Sequence, residues 1–111
     1  MYSALFEVNS WIGVEQYIFT AESPNEILAE FQRVQDLSCL INMGMQRENK
    51  AGKESLKKLE ALLSKYYSDE LTMDDLKSLH VEISLGIFRC VDTAEGENAE
   101  STLREKYPGA K

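Results

Sequence analysis

The stretch from Val14 to Ile41 limits the possible folds most, because its apolar period changes abruptly. Val14-Glu15-Gln16-Tyr17-Ile18-Phe19-Thr20-Ala21 is rich in β-branched and aromatic side chains, which suit a pleated, half-buried surface. Tyr17, Phe19 and Ala21 fall on one face of that strand; Val14, Gln16, Ile18 and Thr20 fall on the other. Beyond Ser23 the apolar residues recur at helical spacing. Ile27, Phe31, Val34, Ser38 and Ile41 form one stripe, widened by Leu28, Leu37 and Leu40.

The junction Ser23-Pro24-Asn25-Glu26 carries three agreeing signals. The Ser23 hydroxyl can accept from a free N–H of the first turn. Glu26 can reach back to the Ser23 N–H and complete a capping box. Pro24 falls where a helix lacks nothing by losing a donor. The pattern predicts one helix over 24–41, ended by Asn42-Met43-Gly44-Met45 with Gly44 as the residue just past its end.

Ahead of this switch, residues 2–9 read as a strand, with Ala4, Phe6 and Val8 on a fully apolar face. Asn9-Ser10-Trp11-Ile12-Gly13 supplies the turn of a hairpin with a loop longer than two residues. Trp11 is expected to fold back over the core edge, since its large apolar area gains most from burial; the alternative is exposure to a partner. Gln46 to Lys53 reads as a polar loop. Leu56, Leu59, Leu62, Leu63 and Tyr66 mark a second helix over 54–67. Thr72 is an N-cap with an acid at its third position, opening a short helix over 73–79. Residues 80–91 then alternate as a single strand, with Val81, Ile83, Leu85 and Ile87 on one face.

The order β-β-α-α-α-β predicts an α+β fold: a small antiparallel sheet, formed by the N-terminal hairpin and a late strand, with two to three helices on one face. Residues 1–92 form this single domain, and 93–111 read as an acidic, flexible C-terminal tail. A chain of 111 residues supports one domain with a core that needs no disulfide or metal. No apolar run is long enough to cross a bilayer, and Met1 to Glu7 has no basic region of the kind an export signal carries. A cytoplasmic location is expected. Cys39 and Cys90 are then free thiols, each among apolar neighbours.

No reactive constellation emerges. His80 is the only histidine and has no ligand at metal spacing, so it reads as a surface residue. Gly52-Lys53-Glu54-Ser55 lacks both the upstream glycine and the hydroxyl directly after lysine that a phosphate loop needs. Asp69, Glu70, Asp74 and Asp75 lack the spacing, mid-loop glycine and terminal glutamate of a calcium loop. No catalytic residue, cofactor or metal is expected.

Charge is the remaining signal. The net charge is −7, which disfavours nucleic acid and anionic lipid as partners. Arg47 to Lys65 holds six bases and three acids; Tyr66 to Glu82 holds five acids and one lysine; Asp92 to Glu105 holds five acids and one arginine. Two readings follow. In the first, the basic helix is matched by its acidic neighbours across solvated rims. Alternatively, Asp69, Glu70, Asp74, Asp75, Glu95, Glu97 and Glu100 form a negative surface for a basic, nucleic-acid-binding protein, which this chain inhibits by occlusion. Self-association through a sheet edge or the Val81 stripe is a second functional reading. A small-ligand protein or enzyme with a pocket near His80, Tyr17 or Trp11 is a third, and nucleic-acid binding through Arg47, Lys50, Lys53, Lys57 and Lys58 a lesser fourth.

Overall fold

Tyr2 to Val8 places apolar side chains alternately up and down, and the fold buries both sets. In the computed structural model, which describes residues 1–111, Ala4 and Phe6 point into one core and Leu5 into another. All three are fully buried. The elements are β1 (Tyr2–Ser10), β2 (Gly13–Ala21), α1 (Pro24–Val34), α2 (Leu37–Arg47), α3 (Lys50–Tyr67), α4 (Met73–Lys77), β3 (His80–Ile83), β4 (Gly86–Glu95) and α5 (Ala99–Lys106). The sheet is antiparallel, in the order β2-β1-β4-β3. The α+β class and the antiparallel hairpin agree with the sequence reading; the finer counts do not, since there are four strands and five helices.

The larger core lies between one face of the sheet and α1 to α4. At its centre Phe6 stacks on Phe31 with ring centroids 4.3 Å apart, and Phe19 packs tilted against both. The three rings join β1, β2 and α1, and such pairs add about 1 kcal/mol each beyond area burial. The smaller core lies on the other face. There Leu103 of α5 packs on Leu5 and Ile18, with Val91, Ala94 and Tyr107 around it. Helices therefore cover both faces and not one. Residues 93–111 are not a loose tail. β4 continues to Glu95, α5 buries Leu103 completely, and Lys111 bridges the edge of β2 by donating to Gln16 O at 2.8 Å and accepting from Ile18 N–H at 3.1 Å. The apolar face of β1 that contains Leu5 needs this cover.

The expected helix over 24–41 is two helices. Gln35 is extended, and the Asp36 carboxylate accepts the Cys39 N–H at 3.0 Å, which starts α2 afresh. The break turns Val34 outward, 48 % exposed, although the periodicity had placed it in the stripe. Gly44 lies inside α2, where a side chain would meet Leu56; the glycine lets α2 approach α3. The expected loop over 46–53 is mostly helix, since Asn49 accepts the Gly52 N–H at 3.0 Å and caps α3 four residues early. At Ser23 the hydroxyl takes the Glu26 N–H, but the Glu26 carboxylate accepts from Glu22 N–H and not from Ser23. The Thr72 capping box is complete, with Asp75 as its acid.

The single strand over 80–91 is a hairpin. Ser84 and Leu85 turn the chain and Gly86 follows with φ of +146°. The first hairpin has the same form, Trp11-Ile12 followed by Gly13 at φ +144°, so its loop is two residues and not longer. Both sheet edges are engaged. Ser55 of α3 donates to His80 O and accepts from Glu82 N–H along β3, while Lys111 bridges β2. Edge-to-edge pairing of two copies, expected from a bare sheet, meets these contacts first.

Two outcomes test the fold. Leu103→Ala should lower stability by about 2–5 kcal/mol, as a fully buried leucine does, whereas a loose tail would give almost no change in chemical denaturation. Gly86→Ala should cost more than Gly13→Ala. Both force a side chain into left-handed φ, but only at residue 86 does the new Cβ run into the Asn9 carbonyl; equal midpoint shifts would refute that contact.

Candidate interaction surfaces at the two ends of the sheet

The strand register gives the molecule two ends. At one, Ser10 pairs with both Gly13 and Gly86, so the two hairpin turns lie side by side. At the other, Tyr2 pairs with both Ala21 and Glu95. A nine-residue strand separates them by roughly 27 Å.

At the hairpin end, Trp11 is 87 % exposed and Ile12 78 %. Trp11 does not fold back, because a two-residue turn projects its side chains beyond the last ladder pair and leaves the core edge out of reach. Val14, Val34 and Leu85 are also exposed nearby. Beside Trp11 runs a groove of about 410 Å³, lined by Val14, Tyr17, Val34, Gln35, Leu40, Leu85 and Phe88. It opens where α1 stops at Val34 and leaves the last turn of the sheet uncovered. Glu15, at its margin, is held below the usual carboxylate range by the Tyr17 hydroxyl that donates to it and by Lys111.

The far end is acidic. Seven of the twelve Lys and Arg side chains have a carboxylate within 4 Å: Arg33 with Glu30, Lys65 with Asp75, Lys77 with Asp74, Arg89 with Glu7, Arg104 with Glu100, Lys106 with Asp92 and Lys111 with Glu15. The five bases left over are Arg47, at the end of α2, and Lys50, Lys53, Lys57 and Lys58, in the first half of α3. Only one ion pair, Lys65–Asp75, joins the basic helix to the acidic segment after it. Glu48, Glu54, Glu60 and Glu82 share the basic region without pairing to it.

Six unpaired acids fall at the far end. Glu22 follows β2, Glu26 opens α1, Glu95 ends β4 and Glu97 precedes α5. Asp69 and Glu70 follow α3, whose last turn is tied to the first turn of α1 by Asn25 Nδ2 donating to Tyr66 O at 2.7 Å. The seven residues picked from sequence thus share one end, on both sides of the sheet. Asp69, Glu70, Glu95 and Glu97 are free of ion pairs there, while Asp74, Asp75 and Glu100 each have a base. Glu22 and Glu26 were missed. Their signal was present: both flank the Ser23 cap, so they must sit where β2 ends.

Reactive groups are dispersed. His80 is exposed on β3 with Glu82 at 4.0 Å. Cys39 is exposed on α2, its thiol 3.4 Å from the Met43 sulfur; Cys90 lies in β4, its thiol pushed up to about 12 by burial. No three His, Cys, Asp or Glu side chains group at metal-binding geometry. No helix is long and apolar enough to cross a membrane.

Asp75 shows how much of the acidity is structural. Its carboxyl is held below the usual range first by the Thr72 N–H and then by Lys65. Because its folded pKa lies below the unfolded one, the stabilisation is full above the unfolded value and is lost as pH falls through the folded value. Asp75→Asn should therefore destabilise at neutral pH and cost progressively less toward about pH 2. An identical cost at both pH values in denaturant titrations would show that the charge is irrelevant.

Comparison with known protein families, with curated proteins and with solved structures gives no match for this chain.

Proposed function

We propose that this protein is a non-enzymatic inhibitor, of the immunity-factor type, that binds a basic, nucleic-acid-binding protein and covers its active surface with the acidic far end. The observation that carries the reading is the segregation of charge. Six unpaired acids share that end with no unpaired lysine or arginine, while the five unpaired bases lie around α3 among four unpaired acids, Glu48, Glu54, Glu60 and Glu82. Six of the seven surplus negative charges thus sit at one pole. A pole of one sign steers a partner of the other and speeds encounter, with a range set by the Debye length of about 8 Å at physiological salt.

Asp69, Glu70, Glu95 and Glu97 carry the contact in this reading, joined by Glu22 and Glu26. Asp74, Asp75 and Glu100 contribute less, since each already faces a base. Occlusion, and not turnover, is the proposed mode of action. We place the protein in the cytoplasm, a reading with which two unpaired thiols accord.

Capture from the native host at low and high salt tests this. Basic proteins should be retained at low salt and released at high salt. Reversal of Glu22, Glu95 and Glu97 to lysine should weaken that capture at least about tenfold. Reversal of Glu54 and Glu60 on α3 should leave it nearly unchanged. Equal capture by both variants would rule out recognition through the acidic pole.

A further inference from the structure

The hairpin end carries a surface that the acidic-pole reading does not use. We infer that it is the seat of a two-fold dimer, in which Trp11 of each copy enters the groove beside Trp11 of the other.

Three observations lead there. The first is area. Trp11, Ile12, Val14, Val34 and Leu85 are between 43 % and 87 % exposed, which amounts to roughly 600 Å² of side-chain surface in one place. That is at the upper limit for the largest apolar patch on a monomer, and doubled across a two-fold axis it reaches the lower bound of a standard interface. The second is shape. A projecting indole lies next to a groove floored by Phe88 and Leu40, with Val34 and Leu85 on its walls and room for one indole. A knob beside its own hole is what a two-fold contact requires, because residue i must meet j while j meets i. Gln35 and Ser10 line the same groove and offer acceptors for the indole N–H.

The third is charge. Each copy carries −7, so contact through the acidic pole would set like charges together. Joining the hairpin ends puts the acidic poles at opposite extremes, several Debye lengths apart. The groove itself is lined by one charged residue, Glu15, which Lys111 pairs; the unpaired bases around the start of α3, tied to the second turn by the Glu48 carboxylate accepting from Ser84 N–H, lie outside its lining. The sheet edges are partly engaged already, β3 by Ser55 of α3 and the middle of β2 by Lys111.

Sedimentation equilibrium of the full chain, from about 5 µM to about 1 mM, reads the outcome. The wild type should pass from monomer to dimer with a dissociation constant on the order of micromolar, and the Trp11 emission should shift to the blue over the same range. Trp11→Ser and Val34→Arg act from opposite sides of the contact. Each should weaken self-association at least about tenfold, with an unchanged far-ultraviolet spectrum showing that the fold persists. Reversal of Glu95 and Glu97 should not weaken it, which separates this proposal from the acidic-pole reading. A strict monomer at the highest concentration overturns the proposal. So does a dimer that survives both variants. A monomer whose Trp11 emission shifts only on adding phosphatidylcholine–phosphatidylserine vesicles would also overturn it and assign the surface to lipid.

Discussion

β1 is buried on both faces, and the rest of the architecture answers that fact. Ala4 and Phe6 need one cover and Leu5 another, and Ser3 and Glu7 are enclosed with them. A strand of this kind belongs in the interior of a sheet, so it needs a neighbour on each side as well as a layer above and below. β2 and β4 are those neighbours. α1 to α4 form one layer and α5 the other. Glu7 is accommodated in this setting because Arg89 across the ladder donates to it at 3.2 Å. Removing α5 would leave Leu5, Ile18 and Val91 facing water, so the C-terminal segment belongs to the fold as fully as the first hairpin does.

The same geometry explains which parts of the fold were legible in the sequence. The β1 and β2 faces follow from alternation, and the Ser23 and Thr72 starts follow from side-chain caps followed by apolar periodicity. Asp36 and Asn49 are caps of the same chemical kind, yet they sit inside polar stretches where no change of period announces a boundary. Uninterrupted spacing from Ile27 to Ile41 therefore read as one helix, although a break at Gln35 keeps most of that stripe buried. Ser84-Leu85-Gly86 was hidden in another way. Leu85 continues the alternation of Val81 and Ile83, so a turn looked like strand. Comparison with Trp11-Ile12-Gly13 would have exposed it, because both turns put glycine at the first position of the returning strand. The tail misled through composition. Its acids are real, but one leucine, Leu103, at the right distance from Leu5 outweighs them.

For the candidate surfaces, sequence position located the acids but not their grouping. Charge blocks distant in the chain meet at one pole only because β2 and β4 end together, and because Asn25 ties the end of α3 to the start of α1. Nor does composition reveal which acids are free. Asp74 and Asp75 lie in the densest acidic run, yet both have bases, and Asp75 also serves a helix cap. The exposure of Trp11 depends on loop length, which a run of turn-forming residues leaves open.

Polarity is thus a product of topology. An antiparallel sheet with two tight turns at one end must place its strand-to-helix connections at the other. Turns of two residues have no room to bury a large side chain, so Trp11, Ile12 and Leu85 stay outside. Strand-to-helix junctions favour acids, because carboxylates near helix N-termini interact well with the exposed N–H groups there. Glu26 in the first turn of α1, Asp74 and Asp75 in α4, and Glu100 in α5 all follow that rule. Local helix chemistry accounts for them without any partner. It does not account for Glu95 and Glu97, which lie outside the helices and have no base within 4 Å; Asp69 and Glu70 are unpaired too, but they close α3, with Asp69 at φ +58° and the Glu70 N–H donating to Lys65 O at 2.9 Å. The carboxylates of Glu95 and Glu97 repel one another and make no side-chain hydrogen bond or ion pair within the fold. Residues of that kind are the ones a binding role explains and a folding role does not.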